Sequence, residues 1–88
     1  MNTAPLLRPK PDVVARRIDD AGVLVDLHTN KIFEVNRTGI RLWELLADGL
    51  ASDAVLDTVM QEFDIDRTSA ERELTTFVAD LRASGLLE

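Results

Sequence analysis

Residues 22–39, GVLVDLHTNKIFEVNRTG, decide the fold of this chain. Val23, Val25 and Leu27 alternate with Leu24 and Asp26, the period-2 pattern of a half-buried strand. His28-Thr29-Asn30 supplies turn chemistry, and Asn30 tolerates the left-handed conformation a tight reversal needs. The chain resumes as Lys31-Ile32-Phe33-Glu34-Val35, a second strand, predicted with Phe33 and Val35 facing inward beside Val23 and Val25. Asn36 or Thr38 caps the helix that follows by accepting a hydrogen bond from an unpaired backbone N–H. A sheet this small leaves an edge whose backbone donors and acceptors are free, and such an edge can pair with another chain.

Upstream of this hairpin, Val13 to Asp19 (VVARRID) carries β-branched residues suited to a further strand, with Asp20-Ala21-Gly22 as its turn. Three strands in the order one-two-three form an antiparallel meander whose third strand is the free edge. Residues 1–12 contain Pro5, Pro9 and Pro11 and are expected to run as a flexible arm, leaving residues 13–88 as the domain.

Downstream the period changes to that of helices. From about Arg37 to Ala47, Ile40, Leu42, Trp43, Leu45 and Leu46 form a broad apolar stripe, closed by Asp48-Gly49. A second helix is predicted to begin with Ser52 as N-cap and Asp53 in its first turn, where the helix dipole favours negative charge. Its stripe is Val55, Leu56, Val59, Met60 and Phe63. A third helix begins at Asp66 and runs to about Ala83, with Ala70, Leu74, Phe77, Val78 and Leu81 on one face and Gly85 as its stop. Leu86 and Leu87 are expected to tuck back onto the core. Three strands followed by three helices make an α+β domain, winged-helix-turn-helix-like, with the hairpin as the wing.

Composition narrows the function classes. At 88 residues the chain makes one domain. A domain this small buries a lesser share of its unfolded surface than a larger one, so it folds with little stability to spare. It is 45% hydrophobic and 30% charged, too apolar for a disordered tail, and has no cysteine. No apolar run suits a signal peptide or a membrane span, so a cytoplasmic location and no membrane partner are expected. Residues 1–17 hold four basic side chains against Asp12 alone, a net of +3, while residues 18–88 hold six basic against fifteen acidic, a net of −9. An acidic body is a poor partner for nucleic acid, because phosphate neutralisation supplies most of that affinity.

The search for catalytic chemistry is mostly negative. His28 is the single histidine and lies in a turn, with no cysteine or clustered carboxylates to complete a metal site. Asp19-Asp20, Asp64 and Asp66 stand at turns and a helix start, where aspartate serves as a cap. Ser52, Ser69 and Ser84 have no base in any recognisable motif. The four glycines are scattered rather than gathered into a phosphate loop. Trp43, in phase with Ile40 and Leu46, reads as a core anchor. No enzyme activity, cofactor or metal is expected.

Taken together, PDVVARRIDDAGVLVDLHTNKIFEVNRTGIRLWELLADG resembles the start of the pyrroloquinoline-quinone biosynthesis protein D family, also known as the leader-peptide recognition element of ribosomally made, post-translationally modified peptides. The likeness runs from Pro11 to Leu87. It rests on the Leu-Val-Asp-Leu strand, Phe33-Glu34-Val35-Asn36, the helix start Thr38-Gly39-x-x-x-Trp43, and the final Leu-Arg-x-x-Gly-Leu-Leu. Quinone-pathway members lack the Thr-Gly-x-x-x-Trp start, so the sequence is more similar to stand-alone members of lasso-peptide pathways.

The resemblance implies a non-catalytic domain in which a precursor's leader peptide adds as an antiparallel strand to the third strand, in a groove against the third helix. It places the peptide-binding residues at Lys31, Ile32, Phe33, Glu34 and Val35 on the strand, and at Leu74, Phe77, Val78, Leu81 and Arg82 on the helix. Lasso-pathway leaders commonly carry an aromatic residue and a proline as anchors, and Arg82 is a candidate partner for an acidic leader residue. The implied partners are the leader peptide and a leader peptidase or other modifying enzyme of the same pathway. The resting state is expected to be a monomer or weak homodimer. The rival readings are a winged-helix DNA-binding regulator and a structural subunit that dimerises through the free edge.

Overall fold

The computed structural model describes residues 8–88. Strand β1 spans Val13–Ile18, β2 Ala21–Asp26 and β3 Lys31–Val35, followed by helices α1 (Arg37–Ala47), α2 (Ser52–Phe63) and α3 (Arg67–Ala83). The sheet is an antiparallel meander in the order β1-β2-β3, so β3 is an edge. This is the α+β arrangement expected from the sequence, and it is compatible with a winged-helix-like layout.

The register reverses one expectation. Leu24 faces Phe33 and Gly22 faces Val35, whereas Val25 faces Ile32 and Val23 faces Glu34. Directly opposed residues share a face, so Phe33 and Val35 do point inward, but beside Gly22 and Leu24 rather than Val23 and Val25. Leu24 is completely buried, and Leu27 is 57% exposed. The cause lies in α1, which crosses the sheet at Gly22. A Cβ built there would stand 2.7 Å from Ile40 Cδ1 and 2.8 Å from the Arg16 carbonyl oxygen. The helix can lie this close only over glycine.

Asp26 shares the buried face and is the one buried charged side chain among the described residues. Its Oδ1 accepts from the backbone N–H of His28 (2.9 Å) and Thr29 (3.4 Å), closing the turn to β3. Burial pushes this carboxyl up, yet the two N–H donors outweigh it and hold it below the ordinary aspartate range. Asn30, at φ 63°, takes the left-handed position. The turn between β1 and β2 is Asp19-Asp20, with Asp19 at φ 54°, one residue earlier than the predicted Asp20-Ala21-Gly22, because Ile18 and Ala21 already pair.

Asn36 caps α1, its Oδ1 accepting from Gly39 N–H at 2.8 Å. Asp66 caps α3 in the same way, accepting from Ser69 N–H at 2.8 Å. The N-cap of α2 is Ala51, with no side-chain bond, and Ser52 is its first helical residue rather than the expected cap. Trp43 is 3% exposed and joins Ile40, Leu46, Val55, Val59 and Leu74 in one core. Leu86 is buried there as well, with Leu87 packed against it. Arg17 and Arg41 clamp Glu44 from β1 and α1, and Arg41 also binds Glu62 of α2 at 2.8 Å. Bonding to Arg17 and Arg41 holds the Glu44 carboxyl low, and bonding to Arg41 does the same for Glu62.

Of the expected N-terminal arm, residues 1–7 lie outside the described residues. Residues 8–10 pair with the C terminus: Lys10 N–H donates to Leu86 O (3.0 Å) and Glu88 N–H to Arg8 O (2.7 Å), with Pro9 opposite Leu87. Among the described residues no helix is long and apolar enough to cross a membrane.

Candidate functional site

The backbone of β3 carries two kinds of residue. Leu27 N–H donates to Asp12 O, so the residues of β2 in phase with Leu27, namely Val25, Val23 and Ala21, turn their backbone groups toward β1. Asp26, Leu24 and Gly22 therefore turn theirs toward β3, where they meet Lys31, Phe33 and Val35. Ile32 and Glu34 are left with N–H and C=O aimed outward at the open edge. Their side chains stand on the sheet face away from the helices, and Ile32 is 66% exposed.

Helix α3 runs beside this edge without closing on it. No Cα of α3 comes within 8 Å of a Cα of β3, whereas α1 does approach β3 that closely. The trough between them contains two hollows. The wider, about 280 Å³, has Val35, Gly39, Leu42 and Phe77 at its base and Glu34, Thr76 and three charged residues of α3 around it. The narrower, about 120 Å³, lies nearer Phe33, Leu81 and Leu86, with Ser84 beyond. Gly39 keeps the wider one open, since a Cβ there would stand 3.3 Å from both the Phe77 ring and Val35 Cβ.

The sequence-predicted site residues divide among four places. Phe33, Glu34, Val35, Phe77 and Leu81 come together around the trough. Lys31 lies beyond its end, in a polar depression with Lys10, His28 and Ser84. Ile32 contributes its backbone to the edge while its side chain faces away. Leu74, Val78 and Arg82 do not border the trough; they line a separate depression of about 350 Å³ with Ser52 of α2, on the opposite flank of α3's buried stripe. At about 100° per residue, Glu73, Phe77, Asp80 and Ser84 form the stripe that faces β3. Sequence reasoning misses Glu73, Thr76, Asp80 and Ser84, because a polar stripe beside a core stripe reads as solvent-facing.

The second edge of the sheet differs. β1 presents Arg16 and Arg17, with Arg17 tied to Glu44 at 2.6 and 2.7 Å. Charged side chains of this kind discourage pairing. Among the described residues no group of His, Asp and Glu is arranged to hold a metal ion.

An open strand edge beside an apolar-floored trough is the arrangement of a domain that docks extended chains by strand addition. The family model described as coenzyme PQQ synthesis protein D (PqqD) matches residues 21–87, and the chain belongs to that family. Two solved structures share the fold over nearly the whole chain. One is described as TbiB1 in complex with the TbiA(beta) leader peptide, 34% identical over 92% of this chain and 94% of that one, with a TM-score of 0.81. The other is a lasso peptide synthetase B1 complexed with the leader peptide, 25% identical over 96% of this chain and 99% of that one, with a TM-score of 0.80. No curated protein matches the sequence significantly.

Proposed function

We propose that this protein is a non-catalytic recognition element that binds the leader of a ribosomally made precursor peptide and delivers the precursor to a processing enzyme, a leader peptidase or other modifying enzyme. The observation that carries the proposal is the outward-facing backbone of Ile32 and Glu34 beside the trough floored by Val35 and Phe77. Two proteins of the same fold, each in complex with a leader peptide, support it.

Docking has a simple physical form. A leader segment adds antiparallel to β3, and backbone pairing supplies sequence-blind affinity. Alternate leader side chains enter the trough and supply selectivity. Ordering a flexible leader costs entropy, so binding is moderate unless apolar side chains fill the two hollows. Holding the leader while contacting the enzyme raises the local concentration of the core peptide at the enzyme's active site. The protein acts in the cytoplasm, where precursors are made, and residues 13–88 form the recognition domain.

The DNA-binding alternative finds little support in α3. Its Arg67 is occupied by Asp53 (3.3 Å) and Glu71 (3.2 Å), and carboxylates dominate the side facing β3. The test is fluorescence anisotropy with a labelled synthetic leader from the small open reading frame beside this gene. Saturable binding at micromolar concentration or below, indifferent to the core sequence, supports the proposal. Absence of binding by folded protein overturns it.

A further inference from the structure

The sheet face that turns away from the helices has a composition of its own. Val14, Ile18, Leu27 and Ile32 are the exposed large apolar side chains among the described residues, from 41% to 66% exposed. All four share this one face. Val14 lies opposite Val25, and Val25 opposite Ile32, in a single cross-strand row. Ile18 lies opposite Ala21, and Leu27 continues the phase of Val25 just past the end of β2. Half-buried Val23 and Val25 fill the middle. Apolar surface gathered in this way on a small domain marks a contact surface. We propose that this face stacks on the same face of a second copy, about a two-fold axis running along β2, and leaves the β3 edge free.

Two charges choose the partner and the axis. Arg16 and Glu34 stand on this face in one row, on either side of Val23. They lie two strand spacings apart, about 10 Å. Neither has an ion-pair partner among the described residues. A two-fold rotation about β2 exchanges the places of β1 and β3 while keeping each row level. Arg16 of one copy then lies over Glu34 of the other, and the symmetry repeats the pair on the far side. Val23 meets Val23, and Val14 meets Ile32. Stacked sheets stand about 10 Å apart, a gap that arginine and glutamate side chains span together. An axis across the strands at Val23 would instead set like charge over like, which is unfavourable. The chain thus carries, on one face, both halves of the contact.

The size of the face sets the strength. Three strands of about six residues give a footprint of roughly 20 by 14 Å, about a third of what each partner contributes to a standard stable interface. The pair is therefore weak and forms as concentration rises. Because β3 keeps its outward N–H and C=O groups free in this stack, pairing and leader docking are compatible.

Sedimentation equilibrium from micromolar to near-millimolar protein reads the pair, and wild type is expected to shift from monomer toward dimer mass across that range. Arg16→Glu alone and Glu34→Arg alone each place like charges over one another and weaken the dimer about 10-fold or more. Thermal melts confirm that these exposed-site variants stay folded. Mixed in equal amounts, the two variants associate again, because each copy then supplies the charge the other lacks. Wild type that stays monomeric throughout overturns the inference, and so do single variants that fail to recover on mixing. A dimer that leader peptide dissociates belongs to the β3 edge and overturns it as well. If the protein stays monomeric and Val14→Ser loses the processing enzyme while still binding leader, the face belongs to the enzyme instead. Leader anisotropy on the same wild-type sample tests the recognition reading separately.

Discussion

Replacing Ile32 by proline separates docking from folding, because Ile32 N–H points away from β2. Proline is tolerated in an edge strand where its missing N–H would have faced outward. The folded protein therefore loses no ladder bond, and since the side chain is 66% exposed little burial goes with it. The stability cost is about 1 kcal/mol, within the range of strand propensities. In the complex, one leader carbonyl loses its donor, a loss of about 1–3 kcal/mol, or roughly 5- to 150-fold in Kd. Phe33→Pro is the counterpart one residue along. There the missing N–H orphans a group of Leu24 inside the ladder. That costs about 1–3 kcal/mol, and a half-buried aromatic ring is lost besides. At about 0.05–0.15 kcal/mol per residue the whole domain has only about 4–13 kcal/mol to lose. Urea unfolding followed by Trp43 fluorescence reads the first quantity, and leader anisotropy the second. If Ile32→Pro unfolds as readily as Phe33→Pro, or binds leader like wild type, the assignment of free backbone groups is wrong.

The remaining predictions use the same two assays. Gly22→Ala forces a Cβ to within 2.8 Å of the Arg16 carbonyl. This lowers stability by about 1–3 kcal/mol, and an unchanged urea midpoint would mean that α1 does not lie on Gly22. Thr76→Trp, at an exposed position on the wider hollow, fills the trough and weakens leader binding about 10-fold or more with little change in melting. Val78→Glu, on the far flank of α3, leaves leader binding within about 2-fold of wild type, and a larger loss would move the groove to that side. Acid should destabilise the protein with a definite sign. Glu44 and Glu62 are held low by Arg17 and Arg41, and Asp26 and Asp66 by backbone N–H donors. Carboxylates with lowered folded values contribute stability above about pH 4–5 that is lost as pH falls through the folded values. Urea midpoints should thus be level from about pH 8 to about pH 5 and decline below about pH 4, and a level profile down to about pH 2 would contradict the pairing.

Much of this protein is determined by sequence alone. The helices of residues 37–47, 52–63 and 67–83 are set by apolar stripes in which only one phase is hydrophobic, so periodicity reads them without ambiguity. The sequence offers Asp66 at the start of α3 and Asn36 or Thr38 at the start of α1, and the structure selects Asn36, whose side chain accepts from Gly39 N–H. The meander follows from two turns, each with a residue able to take a left-handed conformation, and among the described residues no further strand pairs with β3.

Two questions were left to the tertiary structure. The first is which face of β2 is buried. Val23 and Val25 on one side rival Leu24 on the other, and Asp26 reads as a surface residue until its turn hydrogen bonds are seen. Local pattern cannot choose between two apolar phases; the close approach of Ile40 to Gly22 chooses. The second is which flank of α3 faces the edge strand. Phe77 and Leu81 belong to the core stripe under either choice. The flank that meets a leader, Glu73-Thr76-Asp80 or Leu74-Val78-Arg82, depends on the rotation of α3 about its own axis. That rotation is set by its packing against α1 and α2, contacts distant in sequence that no single segment encodes.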